Sequence, residues 1–234
     1  MIKAIFFDWF NTLAHYYPPR EELESQALKE LGFAVSPKAL SPGVYLADKY
    51  LYEENGRIPI RQRNREEQNK LYTRFHRIIL KEAGITADDN IVAKLLFRMF
   101  ELNNKMTFVL FDDVSATLKG LKEKKLKLGL LTNLQTEVDS MCRNLGIADF
   151  LDFTVTSAEV GADKPQPPIF LKALELAQVQ AGEAIHVGDQ YQNDVLGARK
   201  VGISPILLDR ADYYTEITDC PCIHSLTEVS RYVS

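Results

Sequence analysis

Cysteine is scarce in this chain, with three among 234 residues. An odd, sparse set does not build a disulfide framework, so free thiols in a reducing compartment are expected. Basic charge is not in excess either. Twenty-eight Lys and Arg stand against 32 Asp and Glu, a net charge of -4 with a pI near 5.7. That balance gives no global attraction for phosphate backbones or anionic lipid, and nucleic acid is not an expected partner. Long apolar runs are also missing. No segment approaches the length needed to span a bilayer. The N-terminal MIKAIFF is cut by Asp8 and has no small-residue cleavage site. The expectation is a cytoplasmic protein with no membrane partner, free of internal repeats and low-complexity tracts.

What is present is ordinary globular usage, 46% hydrophobic and 26% charged. The length suits a core domain carrying an insertion. Five short apolar runs, IKAIFFD, KLKLGLLTN, LDFTVTSAE, EAIHVGDQ and SPILLDR, read as buried strands. Helical stripes lie between them in the second half. Val138, Met141, Cys142 and Leu145 stop at Gly146; Phe170, Ala173, Leu174 and Ala177 form another stripe; Val195, Ala198 and Val201 end at Gly202. Strands alternating with helices predict an α/β fold with a doubly wound, Rossmann-like parallel sheet. Ser225 and Glu228 stand in capping-box spacing before a short final helix.

Residues 15–110 break this rhythm and read as helical throughout. Leu23, Ala27 and Leu31 form one stripe, Leu71, Phe75, Ile78 and Ile79 a second, and Ile91, Leu95 and Met99 a third. Ser41 before Pro42, Asn64 three residues before Glu67, and Thr86 before an acidic turn are the expected helix starts; Gly84 is an expected stop. The expected division is a core of residues 1–14 plus 111–234 and an inserted α-helical cap of residues 15–110.

In an open parallel sheet, ligands bind beyond the carboxyl ends of the strands. Asp8, Thr132 with Asn133, and Asp189 each follow an apolar run, and Lys164 lies in the loop after another. One carboxylate after a strand is commonly a turn residue or a helix cap. A carboxylate, a hydroxyl–amide pair, a cation and two further carboxylates at successive strand tips are a different matter. In order, DWFNT, LLTN, the Lys164–Pro165 pair and GDQYQND resemble the four motifs of the haloacid dehalogenase-like (HAD) hydrolase superfamily. The intervening helices resemble the cap of the subfamily holding haloacid dehalogenases and many small-molecule phosphatases.

The resemblance implies that Asp8 attacks the substrate and becomes an aspartyl ester, as an already ionised carboxylate can. Thr132 and Asn133 would hold the transferred group, and Lys164 would neutralise charge. Asp8, the main-chain carbonyl of Phe10, Asp189 and Asp194 would hold Mg2+. Two carboxylates about 4 Å apart repel by roughly 4 kcal/mol at an effective dielectric of 20, and a phosphate adds more negative charge.

One residue departs from the pattern. Phosphatases of this superfamily usually carry a second Asp two positions after the nucleophile, and here that position is Phe10. Phenylalanine transfers no proton, so poor leaving groups should suffer most. Three readings follow: a magnesium-dependent phosphatase acting on a small anionic phosphate ester, a metal-independent 2-haloacid dehalogenase, and a weakly active or non-catalytic binding protein. Haloacid dehalogenases resemble this chain in carrying an aromatic residue at that position, whereas its acidic fourth motif favours the first reading. His15 is a candidate substitute proton donor. Arg57, Arg61, Arg63 and Arg65 form a basic run suited to an anionic substrate tail or to a solvated loop. Phe10, Tyr16 and Tyr17 are candidates for an apolar pocket, and Trp9, alternating with Asp8, reads as packing. Cys220, Cys222 and His224 alternate in CPCIH but lack a fourth ligand, and read as a C-terminal loop. Monomer and homodimer are both open.

Overall fold

The structure, a computed structural model, describes residues 1–134 and 138–233. The chain divides into two compact units, one formed by Met1–His15 and Val109–Ser234, the other by Tyr16–Phe108.

The first unit is built on six strands. They are β1 (Ala4–Phe7), β4 (Lys127–Thr132), β5 (Phe153–Thr156), β6 (Ala184–Gly188), β7 (Ser204–Leu208) and β8 (Cys222–Ile223), ordered β5-β4-β1-β6-β7-β8 with every pairing parallel. All four residues of β1 are buried, as its unbroken apolar sequence requires of a strand covered on both faces. Phe6, Leu131 and Val155 pack with Ile169, Phe170 and Ala173 of the helix Pro167–Ala177 and with Ala198 of the helix Leu196–Lys200. From β1 the chain winds one way through β4 and β5, then crosses to β6 and winds the other way. The order therefore reverses between β1 and β6, where a crevice opens beyond the strand ends.

Register fixes what reaches that crevice. Phe7 is level with Leu130 on one side and Val187 on the other, and the Asp8 amide donates to the Val187 carbonyl at 2.9 Å. Asp8 thus emerges between the end of β4, carrying Thr132 and Asn133, and the end of β6, carrying Gly188 and Asp189.

The second unit holds α1 (Arg20–Glu30), α2 (Pro37–Arg57), α3 (Arg65–Glu82) and α4 (Asp89–Asn103) around its own apolar core, which includes Leu28, Leu40, Ala47, Phe75, Ile79 and Leu95. Gly43 lets α2 approach α3 closely: a Cβ there would stand 2.9 Å from Ile79 backbone atoms. Asn64 and Glu67 form the capping box of α3.

Several sequence expectations are corrected. Ser41 does not start a helix. Ser36 caps α2 with Pro37 at its first position, and Pro42 lies inside, because the earlier start brings Leu40 onto the buried face. Asp88, not Thr86, caps α4 through the Ile91 amide at 2.8 Å. The stretch read as helical from residue 15 begins and ends instead in strand. Here β2 (Ala14–Tyr17) and β3 (Thr107–Leu110) form a two-stranded ribbon, with Tyr16 stacked on Phe108 at 4.7 Å between centroids. Tyr16, Tyr17, Thr107, Phe108 and Val109 suit a strand, but each strand has four residues, too few to show a period. CPCIH is not simply loop, since Cys222–Ile223 pairs with Leu207 and Leu208 at the sheet edge. The three cysteines are free. Among the described residues, no helix is long and apolar enough to cross a membrane.

Candidate functional site

Asp8 follows a buried strand and is itself only 5% exposed. An ionised carboxylate there requires compensation. Lys164, 3% exposed, supplies it: its Nζ donates to Asp8 Oδ1 at 2.5 Å and to Asp194 Oδ1 at 2.6 Å. A buried ammonium between two carboxylates explains why a lysine can be dry here. Burial disfavours its charge, and Asp194 and Asp8 more than restore it, so its pKa lies above the ordinary lysine value.

Asp194 lies on a π-helical turn, Tyr191–Val195, leading into the helix Leu196–Lys200. Its Oδ1 also meets His186 Nε2 at 2.9 Å, and its Oδ2 accepts the Gln190 amide at 3.0 Å. Burial would raise its pKa, but Lys164 and His186 outweigh that and hold it well below the usual carboxylate range. His186 is fully buried on β6 with its ring edge-on to Phe170; burial lowers its pKa against the opposing pull of Asp194. Gly188 is demanded here, because a Cβ at that position would overlap the Asp194 carboxylate.

Asp8, Asp189 and Asp194 each offer an oxygen, and these three atoms lie within 4.8 Å of one another. Two of the three, Asp8 and Asp194, bind the Lys164 ammonium. Burial, reinforced by Asp194 against the opposing pull of Lys164, pushes Asp8 up to about 6. Asp189 is raised well above its usual value by burial and by repulsion from Asp8 and Asp194. Its Oδ1 is buried with no hydrogen-bond partner. An orphaned carboxylate oxygen facing two like charges fits a divalent cation with hard oxygen ligands, as Mg2+ is.

Asn133 does something the sequence does not suggest. Its Oδ1 accepts the Lys164 amide at 2.7 Å and its Nδ2 donates to the Lys164 carbonyl at 3.2 Å, so the side chain splints the lysine backbone. Ser157 Oγ donates to the Asn133 carbonyl in turn. The buried Thr132 Oγ1 accepts the Leu134 amide at 3.1 Å. Among the described residues, one Nδ2 hydrogen and the Thr132 hydroxyl hydrogen have no further bonded partner.

Phe10 is half-buried and bridges to Ala14, in a turn where the Leu13 and Ala14 amides both donate to the Trp9 carbonyl. Asn11 has φ of 58°, the left-handed region that asparagine tolerates. Thr12, fully buried, sets its Oγ1 3.5 Å from Asp8 Oδ2. Trp9 is fully buried. His15 packs on Phe111 at 4.6 Å between ring centroids, and Tyr17 is 58% exposed. In the second unit, Arg57 and Arg63 both bind Glu54, so two members of the basic run are already engaged. CPCIH assembles no ligand cluster: His224 Nδ1 lies 2.7 Å from the Asp209 carbonyl, and the aspartate triad is the one such group among the described residues.

Sequence reasoning thus named Asp8, Phe10, Thr132, Asn133, Lys164, Asp189 and Asp194; the fold clusters Asp8, Lys164, Asp189 and Asp194, sets Asn133 against the Lys164 backbone, and leaves Thr132 at the end of β4 and Phe10 in the turn after Asp8. It missed His186, Gly188 as a steric requirement, and Asn133 as a splint. Strand alternation does put residues 186 and 188 on one face, which is a usable signal for the first two.

Residues 44–208, well over half of the chain, match the family described as haloacid dehalogenase-like hydrolase. The cattle haloacid dehalogenase-like hydrolase domain-containing protein 3 is 34% identical over 134 residues, 57% of this chain and 51% of that protein. The chain thus spans about half the length of that relative. The glyceraldehyde 3-phosphate phosphatase of Methanopyrus kandleri is 29% identical over 91% of this chain and 86% of that one. Among solved structures, a HAD hydrolase of Bacillus subtilis bound to magnesium shares the fold with a TM-score of 0.65 at 18% identity, covering 100% of this chain and 99% of that one.

Proposed function

Because the chain belongs to the haloacid dehalogenase-like hydrolases, we propose that it is a magnesium-dependent phosphatase acting on a small phosphorylated metabolite through an aspartyl-phosphate on Asp8. The observation that carries this reading is the acidic triad, with its orphaned Asp189 oxygen and with Asp8 and Asp194 held by one buried ammonium. The similarity to a phosphatase of a triose phosphate, over most of both chains, supports a phosphorylated small molecule as substrate.

Asp8, Asp189 and the Phe10 carbonyl would hold the cation, with Asp194 anchored behind them by Lys164, His186 and the Gln190 amide. Bound Mg2+ supplies a Lewis acid that polarises phosphoryl oxygens and offsets carboxylate charge. Lys164 fixes Asp8 Oδ1, which leaves Oδ2 to attack phosphorus. As that bond forms, the bond from phosphorus to the ester oxygen breaks, and its electron pair leaves with the ester oxygen. Water then attacks the aspartyl-phosphate at phosphorus, releasing inorganic phosphate and the Asp8 carboxylate. The remaining hydrogens of Thr132 and Asn133 orient the phosphoryl oxygens, and Lys164 balances their charge. With Phe10 in place of an acid, leaving groups that depart without a proton are favoured.

The test is hydrolysis of p-nitrophenyl phosphate with Mg2+ and with a chelator. Turnover that needs Mg2+ and disappears in Asp8→Asn supports the reading; turnover indifferent to the chelator overturns it. Phe10 favours the dehalogenase alternative, whose signature is halide release from a 2-haloacid in the presence of chelator.

A further inference from the structure

Arg210 lies two residues beyond β7 and is not a member of the acidic triad. Its guanidinium forms a fork on Asp113, with both nitrogen–oxygen distances 2.9 Å, and its Nη2 also donates to the Thr12 carbonyl at 3.0 Å. The same group stacks on the Phe111 ring, 3.9 Å from the centroid. The Phe111 amide donates to the Leu13 carbonyl at 3.2 Å. Two successive carbonyls of the Asp8 turn are therefore held by one stacked pair, Arg210 and Phe111.

Holding a mostly buried arginine and aspartate, 19% and 15% exposed at their side chains, is not the least costly way to fill space. Asp113 has other donors: Ser225 Oγ and the Leu226 amide, each at 2.9 Å, already tie it to the C-terminal segment. What Arg210 alone adds among these contacts is the hold on Thr12. Thr12 is fully buried with its hydroxyl 3.5 Å from Asp8 Oδ2, so a shift of its backbone would reach the Asp8 carboxylate.

We propose that Arg210 is a positioning residue for the reaction: through the Thr12 carbonyl and the Phe111 ring it fixes the turn that presents Asp8. The proposal rests on the phosphatase reading for its kinetic consequence. Planar, bidentate and stacked at once, the guanidinium is not replaceable by lysine. A displacement of about 1 Å at a reacting group costs about 100-fold in rate.

Arg210→Ala and Arg210→Lys are compared with the wild type in Mg2+-dependent p-nitrophenyl phosphate hydrolysis, alongside thermal midpoints. The expected result is a kcat reduced about 10- to 100-fold in Arg210→Ala, KM and the half-saturating Mg2+ within about threefold, and partial recovery in millimolar ethylguanidine. Arg210→Lys should stay within threefold of Arg210→Ala. A kcat within threefold of wild type in folded Arg210→Ala, or a loss seen only in thermal midpoint, overturns the proposal. Should Arg210→Ala not fold, Asp113→Asn, which weakens the fork while keeping the site filled, takes its place with the same expected split. If the wild type turns over no phosphate ester, the phosphatase reading has failed independently. Amide exchange at residues 11–14 then decides the positioning claim: faster exchange in the variant supports it, and unchanged exchange overturns it.

Discussion

Asp189→Asn separates a metal site from an ordinary acidic cluster without requiring any knowledge of substrate. Asp189 is raised well above its usual pKa because burial, Asp8 and Asp194 all disfavour its charge. Two unit charges at 4.8 Å, the upper limit for the ligand oxygens, repel by roughly 3.5 kcal/mol at an effective dielectric of about 20. Lys164 offsets part of this, so removing the Asp189 charge should relieve about 2–4 kcal/mol in the metal-free protein. For a chain of this size that is a rise in thermal midpoint of about 4–16 °C in chelator. Asparagine keeps a carbonyl oxygen, so the side-chain hydrogen bond with Asn11 survives. In the wild type, Mg2+ at 100 times its Kd should add about 2.7 kcal/mol; in the variant most of that rise should vanish. The pH dependence carries the same sign. Asp8, pushed up to about 6, and Asp189 retain protons in the native state that an unfolded carboxylate, with a pKa near 3.8, has released. The native state then binds more protons than the unfolded state, so metal-free stability should fall as pH rises from about 4.5 to 7. Asp189→Asn should flatten that fall. Scanning calorimetry in chelator at several pH values, then with Mg2+, is the assay. A variant no more stable than wild type in chelator, with an unchanged Mg2+ response, refutes the reasoning.

Gly188→Ala places a methyl group against the Asp194 carboxylate; it should weaken Mg2+ binding about 10- to 100-fold by displacing the hold of Lys164 and His186, as titration calorimetry would register. Phe10→Asp should raise kcat/KM at least about 10-fold for alkyl phosphates while changing p-nitrophenyl phosphate far less, because only the former needs a proton on departure; equal effects on both substrates would count against the missing-acid account.

The core was legible in sequence because a strand buried on both faces admits little but apolar residues, and a polar side chain breaking such a run stands out. Asp8, Thr132 and Asp189 declare themselves in that way. Lys164 does not follow its run directly and was found through the resemblance of the adjacent Lys–Pro pair. The ribbon at residues 14–17 and 107–110 and the edge strand at 222–223 are too short for periodicity to register. Ser41–Pro42 and Ser36–Pro37 are equivalent as local signals; only the burial of Leu40 distinguishes them. The partners of Asn133 and Arg210 lie 31 and up to 198 residues away, and no local pattern encodes such pairings.

The ribbon formed by β2 and β3 has a consequence for how such a chain diversifies. Where the inserted unit begins and where it ends are neighbours in one small sheet, so the gap that the sequence between them must bridge is only the spacing of two paired strands. Whatever is spliced between Tyr17 and Thr107, longer or shorter, can meet the same pair of anchor points. The register of the parallel sheet does not depend on the length of its guest.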